Sequence, residues 1–378
     1  MSEPAPPLIH QLAQQRDLVR RLQSEFRGRP RRPRPQYLQR LNADVHAAVA
    51  KLQPPGDDSA ARVDLINRLQ TLVAQVSSSA KLQPFGSSVS GLHSAGADLD
   101  LTLVTEVGAE MPKGVQSELV NRLAELLTES EQMESVQARP NARVPIVALQ
   151  DKKSGLKCDI CMCNMLAITN SQLLRAYMSI DERARSLCFT IKFWAKRRSV
   201  NDPYRGSLSS YAWVLLAIHY LQTCEPPVLP CLQALRGLYW ADDPRRMIIP
   251  NFDGRSFDCS FCSDVGALRE AMGTLQPANS DSVAELLVGF FRRYTREFDF
   301  VKGVSSIRTG SFLSKKEKQW TTKEAGVRGH LFCIEDPFEL SHDLGRVIGR
   351  DTLNDVRSEL DRASQVRAPT RPPAPAPL

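Results

Sequence analysis

Two aspartates, Asp98 and Asp100, stand two residues apart in a segment that alternates polar and apolar residues up to Val104. Such alternation predicts a half-buried β-strand, whose two carboxylates share one face with Cα atoms about 6.5–7 Å apart. Like charges this close raise each other's pKa unless a cation neutralises them. Magnesium suits this role because it binds one or two carboxylates plus substrate phosphates. Since Asp-x-Asp is a common pattern, two solvated aspartates at a strand edge are the alternative.

A third carboxylate, Asp159, lies in a second predicted strand, between Lys157 and Cys161. Three carboxylates can hold two ions about 3.5–4 Å apart, an arrangement suited to in-line attack at phosphorus. Gly86 and Ser87 precede the first strand, and a glycine turn lets backbone N–H groups approach a phosphate closely. Together these residues predict a metal and phosphate site.

Lys192 and Lys196 are four residues apart in a predicted helix and therefore share one face. Two ammonium groups on one face can reach a triphosphate together. The pair is followed by Arg197 and Arg198, so a solvated basic helix face is the alternative.

A family resemblance joins these residues. Segment 85–92, Phe-Gly-Ser-Ser-Val-Ser-Gly-Leu, followed by Ala-Asp-Leu-Asp-Leu at 97–101, resembles the nucleotidyltransferase signature of the DNA polymerase β superfamily. More narrowly, it is similar to the poly(A)/poly(U) polymerase branch that includes terminal uridylyltransferases of the fission-yeast type. The resemblance covers about 60–350 and continues through segments 142–146, 158–160, 166–171, 191–196, 206–211, 226–230 and 334–342.

The resemblance implies a role for each matching residue. Asp98, Asp100 and Asp159 would hold two Mg²⁺ (or Mn²⁺) ions, with Asp159 also the base nearest an RNA 3′-hydroxyl. Ser87 and Ser171 would donate to the triphosphate, Asn164 and Asn170 would contact the ribose, and Tyr211 would stack on the base. For Asn164 a structural role at the strand end is equally open. The substrate-binding residues expected in this way are Gly86, Ser87, Asn164, Asn170, Ser171, Lys192, Lys196, Ser210, Tyr211, Asp336, Glu339, His342, Arg143 and Arg346.

The choice of base depends on edge contacts. Asp336, Glu339 and His342 follow at intervals of three, and a helical turn after Pro337 would place Glu339 and His342 on one side. A carboxylate that accepts from uracil N3–H and an imidazole that donates to O4 suit uracil. Adenine and cytosine would leave buried polar groups unpaired. The resemblance also implies that a histidine here marks UTP-preferring members, although a surface histidine is the alternative.

We therefore expect template-independent transfer of UMP from UTP to the 3′-hydroxyl of RNA, with release of pyrophosphate. A poly(A) or mixed-nucleotide polymerase keeps the same machinery and changes only the base. A catalytically inactive RNA-binding scaffold is a rival of another class, and the intact aspartates and paired lysines argue against it.

The elements that carry these residues predict an α+β fold. Strands at 98–104, 144–149 and 156–162 with a helix at 117–127 indicate an α/β nucleotidyltransferase domain over 57–165. Helices at 171–178, 181–198, 209–222, 264–273 and 281–299 indicate a mainly helical central (PAP-associated) domain over 166–362, with the active cleft between the two domains. A helix at 37–56 is expected to pack on the central domain. Prolines and arginines predict a mobile basic arm at 1–36, and a Pro/Ala tail covers 363–378.

Composition limits the partners. The 378 residues carry a net charge of +7, with 24% charged residues, which fits a folded protein with a basic face for a polyanion. Basic clusters near 27–34, 292–296 and 315–318 favour single-stranded RNA 3′-ends as partner. Nine scattered cysteines predict reduced thiols rather than disulfides or zinc sites. We expect a monomer without membrane spans, cytoplasmic by default with mitochondria or nucleus open, whose RNA targets are chosen by partner proteins.

Overall fold

In the computed structural model, the described residues are 6–24, 33–56, 58–76, 78–106, 108, 111–142, 144–235, 247–251, 254–321 and 329–365. The helices are α1 (Leu8–Ser24), α2 (Pro35–Leu52), α3 (Asp58–Val76), α4 (Ser87–Ser90), α5 (Lys113–Glu129), α6 (Met165–Ile180), α7 (Glu182–Arg197), α8 (Ser210–Thr223), α9 (Val265–Thr274), α10 (Val283–Arg292) and α11 (Arg350–Ser364). The strands are β1 (Lys81–Phe85), β2 (Leu99–Val104), β3 (Met133–Arg139), β4 (Ile146–Asp151), β5 (Lys157–Met162), β6 (Ile248–Pro250), β7 (Ser256–Asp258), β8 (Gly303–Ser306), β9 (Ser311–Ser314) and β10 (Cys333–Ile334).

The chain forms two compact units. The sheet unit consists of Lys51–Ser179 and Leu238–Ser263, and the helical unit consists of Met1–Ala50, Ile180–Gly237 and Asp264–Leu378. Helix α6 thus belongs mostly with the sheet, whereas the sequence analysis placed the domain boundary at 165. All but the last two residues of α2 belong with the helical unit, where Asn42 Oδ1 accepts from the backbone N–H of Ala284 at 3.3 Å.

The sheet unit is built on a five-stranded sheet of order β1-β2-β5-β4-β3, in which β2 and β5 are parallel and the other pairs are antiparallel. The period-two pattern explains β2, since Leu99, Leu101 and Leu103 are buried between the sheet and its helices. Leu65 and Leu69 of α3 belong to the same core. The alternation therefore leaves Asp98 and Asp100 on the side opposite the leucine face.

The helical unit is organised around α8, whose residues from Ala212 to Thr223 are all buried. Ser209 caps this helix by accepting from the N–H of Ala212 at 3.1 Å. Helix α10 starts with a capping box between Ser282 and Glu285. A small sheet of order β10-β8-β9, absent from the sequence-based prediction, completes the unit.

The first helix corrects the prediction of a mobile arm at 1–36. Leu12 and Val19 lie seven residues apart on one face of α1, and both are buried. The side-chain amide of Gln15 pairs with the backbone of Cys231, accepting from its N–H at 2.8 Å and donating to its C=O at 3.2 Å. The prolines precede or follow this helix, so they do not interrupt it. The basic tract 25–32 and the tail from 366 onward lie outside the described residues.

All nine cysteines are buried and free in this structure. In the portions of the chain with described coordinates, no helix has the length and apolar character to cross a bilayer.

His219 is buried inside α8, and its Nε2 donates to the carbonyl oxygen of Ser311 at 3.0 Å. Burial, reinforced by the positive charge of Arg293, lowers the pKa of His219 to about 3. As the pH decreases, the imidazole of His219 takes up a proton in the unfolded chain before it does so in the folded chain. The free energy of unfolding is therefore unaffected by His219 above about pH 6.5 and falls as the pH decreases toward 3, by up to about 1.4 kcal/mol per pH unit. Denaturant unfolding between pH 7 and pH 4 measures this slope.

His219→Asn should lower stability at pH 7 but remove this share of the pH dependence. The control is His46→Asn, which changes an exposed histidine of α2 and should leave the slope as it is. A slope that stays unchanged in His219→Asn would contradict the assignment.

Candidate active site

The three predicted carboxylates lie near the first residues of two inner strands of the five-stranded sheet, β2 and β5. Asp100 on β2 and Asp159 on β5 are direct partners in the parallel ladder, and Phe85 of β1 is opposite Asp100 on its other side. Asp98 immediately precedes β2. Burial raises the pKa of Asp159, and the negative charge of Asp98 raises it further, whereas Arg139 acts in the opposite direction. Asp98 and Asp159 are thus within electrostatic reach of each other.

This donor set fits a divalent metal ion. Carboxylate oxygens are the ligands that Mg²⁺ prefers, and a cation relieves the repulsion that raises the pKa of Asp159. Asp100 and Asp159 belong to two adjacent strands, so the backbone ladder fixes these two carboxylates at the spacing of neighbouring strands.

The turn before β2 is shaped by a close approach between backbone and carboxylate. Gly86 has φ 69°, and a Cβ at this position would overlap the Asp100 carboxylate. The N–H of Gly86 donates to Ser171 Oγ at 2.7 Å, and Ser171 Oγ donates to the carbonyl of Ala167 at 2.6 Å. Ser171 therefore holds the turn in place in this structure. To donate to a triphosphate, as predicted, its hydroxyl would have to break the hydrogen bond to the carbonyl of Ala167. Ser87, the first residue of α4, follows the turn directly.

Asn164 and Asn170 have different surroundings at the start of α6 and within it. Asn164 Oδ1 accepts from the N–H of Ala167 at 3.2 Å, and the N–H of Asn164 donates to Thr102 Oγ1 at 2.9 Å. Asn164 thus has the structural strand-end role that the sequence left open, while its side-chain NH₂ remains a donor group. Asn170 lies one residue before Ser171 on α6 and is half-buried. Arg143 lies outside the described residues.

Arg62 of α3 is a residue that the sequence analysis missed. Its guanidinium donates to the carbonyl of Ala97 at 2.6 Å and to that of Asp98 at 3.4 Å, and also to Ser88 Oγ at 3.1 Å. Asp58 accepts from Arg62 Nε at 2.6 Å. The available signal was position, because an arginine three residues before Leu65 stands in the apolar stripe of α3.

In the helical unit, Tyr211 and Asp336 are joined. The hydroxyl of Tyr211 donates to Asp336 Oδ2 at 3.3 Å, and Asp336 Oδ1 accepts from the backbone N–H groups of Phe338 and Glu339 at 3.0 and 2.9 Å. Asp336 is buried, which raises its pKa. Ser210 accepts from the Asn201 amide at 2.8 Å. The Tyr211 ring is thus held at the start of α8.

The segment after Pro337 is a turn, where the sequence analysis considered a helix. The Asp336 carboxylate holds the first amides of this segment, and the bridge between Glu335 and Asp343 closes it. The N–H of His342 donates to the carbonyl of Glu339 at 2.8 Å, and His342 Nδ1 lies 3.2 Å from Glu339 Oε2. Glu339 and His342 therefore meet as predicted, although through a turn.

Glu335 is a second site residue that sequence reasoning missed. This fully buried carboxylate accepts from Ser306 Oγ at 2.6 Å, from Arg308 at 3.0 and 3.1 Å, and from Lys318 Nζ at 2.7 Å. Burial would raise the pKa of Glu335, but these hydrogen bonds outweigh burial and hold it below its ordinary value. Glu335 thus fixes the backbone directly before Asp336.

Lys192 and Lys196 both lie on α7, which confirms the predicted helix, with Lys192 half-buried and Lys196 exposed. Between them, Trp194 packs edge-on against Trp213 and Phe291. Arg346 lies in the turn after Asp343, to whose carbonyl its N–H donates at 3.0 Å. How the predicted residues of the two units combine around a nucleotide stays a prediction.

Gly86→Ala tests the close approach to Asp100. The left-handed backbone costs an L-residue about 1–2 kcal/mol, and the new methyl group should also displace the Asp100 carboxylate. We expect the affinity for Mn²⁺ to fall about tenfold, as measured by electron paramagnetic resonance titration.

Gly155→Ala is the matched control for Gly86→Ala. Gly155 has φ 71°, and a Cβ at this position would meet no other heavy atom within 4 Å, so the same strain arises without a clash. Equal Mn²⁺ affinity in the two variants would contradict the importance of the close approach.

Asp159→Asn should stabilise the metal-free protein at pH 7. The folded-state pKa of Asp159 is raised, so its ionised form opposes folding at neutral pH, and that penalty disappears below the ordinary value of 3.8. Thermal unfolding in a chelator should give a higher midpoint for Asp159→Asn at pH 7 and no difference near pH 3. Asp44→Asn, at an exposed position of α2, is the control. A lower midpoint for Asp159→Asn at pH 7 would refute this electrostatic account.

Two family models match this chain, one mainly in the sheet unit and one in the helical unit. Residues 41–179 match the model of the central palm domain of mitochondrial-like poly(A) RNA polymerases, and residues 282–342 match the model of Cid1 family poly(A) polymerases. The chain is 35% identical to human terminal uridylyltransferase 4 over 305 residues, which cover 80% of this chain and 18% of that protein. The chain thus spans about a fifth of that relative's length.

In two further comparisons, the matched region covers most of this chain and most of the related protein. The chain is 33% identical to terminal uridylyltransferase cid1 of Schizosaccharomyces pombe over 319 residues, which cover 80% of this chain and 72% of that protein. A solved structure of the Cid1 poly(U) polymerase with Mg and 3′-dATP bound has 31% identity and a TM-score of 0.70, covering 86% of this chain and 93% of that chain. These matches confirm the family resemblance and the predicted pairing of a nucleotidyltransferase domain with a mainly helical domain. The chain belongs to the Cid1 family of RNA nucleotidyltransferases, enzymes that include terminal uridylyltransferases and poly(A) RNA polymerases.

Proposed function

We propose that this protein is a template-independent RNA uridylyltransferase that transfers UMP from UTP to the 3′-hydroxyl of RNA. The observation that carries nucleotidyl transfer is the pairing of Asp100 with Asp159 in the sheet ladder, with Gly86 against the Asp100 carboxylate and Asp98 two residues before Asp100. Family membership supports the same reaction class.

Asp98, Asp100 and Asp159 hold two Mg²⁺ (or Mn²⁺) ions in this proposal. When bound, such ions neutralise charge on the triphosphate and on the reacting oxygens. The relative whose structure was solved with Mg and 3′-dATP supports the use of a divalent ion with a nucleotide.

Asp159 receives the proton of the attacking 3′-hydroxyl. The bond from O3′ to the α-phosphorus forms while the bond from that phosphorus to the bridging oxygen of the β-phosphate breaks, so pyrophosphate leaves with the bonding electron pair. The raised pKa of Asp159 suits a proton acceptor better than that of a fully solvated aspartate. The half-buried position of Asp159 also keeps bulk water partly away from its carboxylate oxygens.

The triphosphate is held by Ser87 and the first backbone N–H groups of α4, which have no partners within their own helix. Lys192 and Lys196 supply positive charge from one face of α7. Asn164 and Asn170 serve the ribose, and Arg143 and Arg346 match arginines that the family places near the active cleft.

The pair formed by Glu339 and His342 supports uracil as the base. Nδ1 of His342 lies 3.2 Å from Glu339 Oε2, which leaves the second ring nitrogen for the contact with uracil O4. Glu339 uses one oxygen for this contact and retains the other for uracil N3–H, directly or through water. Tyr211, held by Asp336, stacks on the base without selecting it.

A poly(A) or mixed-nucleotide polymerase is the second candidate, because both matching family models are described as poly(A) polymerases. An inactive scaffold is disfavoured by the complete set of carboxylates. We further propose a cytoplasmic, monomeric enzyme of RNA 3′-end processing or decay, directed to single-stranded RNA ends by protein partners.

Extension of a generic single-stranded RNA with one nucleoside triphosphate at a time tests the assignment. UTP should be used at least about tenfold more efficiently than ATP, CTP or GTP, because the other bases leave polar groups unpaired. His342→Asn should reduce this preference by about the same factor while retaining transfer. The measurement is kcat/KM for each nucleotide.

Asp98→Ala should lower transfer at least about a hundredfold with every nucleotide, since a metal ligand is lost. Asp44→Ala, at an exposed position on α2, is the control for general loss of a carboxylate. Equal use of ATP and UTP would reject the choice of base, and an active Asp98→Ala would reject the metal assignment.

A further inference from the structure

Asp98 differs from the other two carboxylates in how its backbone is fixed. Asp100 and Asp159 are members of the sheet ladder, whereas Asp98 lies just outside β2, at the end of an irregular connector over 91–97. Ladder hydrogen bonds therefore do not set its position, and another part of the molecule must do so.

Arg62 supplies that restraint from α3. Its side chain is 6% exposed, and its planar guanidinium reaches two consecutive carbonyl groups, those of Ala97 and Asp98, together with Ser88 Oγ on α4. One rigid group thus ties the approach to Asp98 to the helical turn that follows Gly86. Arginine offers five donors in a fixed plane, whereas lysine offers three on a single nitrogen and cannot span these acceptors in the same way.

The guanidinium is itself held in place. Asp58, one turn earlier on α3, forms a 2.6 Å ion pair with it and is almost as buried, at 10% side-chain exposure. His93 Nε2 lies 3.5 Å from the same Asp58 oxygen, so the connector is attached to this pair as well. Buried ion pairs with further hydrogen bonds are geometrically demanding, and loss of one partner leaves the other charge uncompensated.

We propose that Arg62 is a positioning residue that sets the metal ligand Asp98 and the phosphate-binding turn in a fixed relation, with Asp58 as its support. The kinetic part of this inference rests on the proposed function, whereas the metal-binding part does not. Arg62 touches neither metal nor nucleotide in this assignment. It acts through the backbone of Asp98 and through Ser88, as partners of metal ligands commonly do.

Arg62→Lys tests the proposal because it keeps the charge and removes the fork. The Kd for Mn²⁺, measured by electron paramagnetic resonance titration and corrected for binding by Asp98→Ala, should rise about tenfold or more. In RNA extension, the Mg²⁺ concentration for half-maximal rate should rise in parallel and kcat should fall, whereas KM for RNA should not change.

Arg68→Lys is the matched control. Arg68 lies on the same helix and forms a bidentate ion pair with buried Asp151 at 2.8 and 2.9 Å, but it contacts neither Asp98 nor α4. This variant should lose stability in the same manner as Arg62→Lys while retaining wild-type Mn²⁺ affinity. Asp58→Asn, which retains the guanidinium and weakens its support, should give an intermediate Mn²⁺ affinity and covers the case in which Arg62→Lys does not fold.

Wild-type Mn²⁺ affinity in folded Arg62→Lys, or in Asp58→Asn if only that variant folds, would overturn the proposal, as would an equal loss in Arg68→Lys. Absence of Mn²⁺ binding by the unmodified protein would overturn it together with the metal assignment. If Mn²⁺ binds with the expected differences but no nucleotide is transferred, the proposed function fails and the role of Arg62 stands.

Discussion

The sheet unit is organised around the electrostatic repulsion between carboxylates on neighbouring strands. Asp100 and Asp159 are ladder partners, and Asp98 is close enough to raise the pKa of Asp159. Such an arrangement opposes folding in the absence of a cation, so the surrounding structure must compensate. The compensation is visible in the leucine core below β2 and in the ion pair between Asp58 and Arg62.

In the helical unit, a buried carboxylate with cationic partners stands beside the residues assigned to the base. Asp336, Glu339 and His342 lie in a turn without regular secondary structure, so their positions depend on specific polar contacts. Glu335 lies directly before this turn and accepts hydrogen bonds from an arginine, a lysine and a serine. Because Glu335 is buried, these contacts are rigid. In both units, a neighbouring buried ion pair fixes the backbone that carries residues assigned to chemistry.

Local patterns were sufficient to predict the parts of the site that depend on local geometry. The alternation around Asp98 and Asp100 predicted β2, and the spacing of Lys192 and Lys196 predicted a shared helix face, because both periods are set by the backbone itself. The strands that carry Asp100 and Asp159 were also predicted, whereas their pairing and its parallel register came only from the structure.

Features that depend on distant partners were not predictable in this way. The hydrogen bonds from Arg62 to the carbonyls of Ala97 and Asp98 join residues 35 and 36 positions apart, which no local pattern predicts. The strand β10 has two residues, too few for a period, and α1 was hidden by the prolines around it. Glu339 and His342 meet in the turn at 337–342 because the backbone N–H of His342 donates to the carbonyl of Glu339 three residues earlier, as in a single turn of 3₁₀-helix.

The nine buried thiols have a practical consequence. Desolvation raises the pKa of Cys161 to about 11 and those of Cys224 and Cys231 to about 12, so thiolate is scarce at neutral pH while the chain is folded. Alkylating reagents therefore gain access chiefly when a segment opens. Because Cys158 and Cys161 belong to the sheet unit and Cys188 and Cys224 to the helical unit, the order in which they are labelled records which unit opens first.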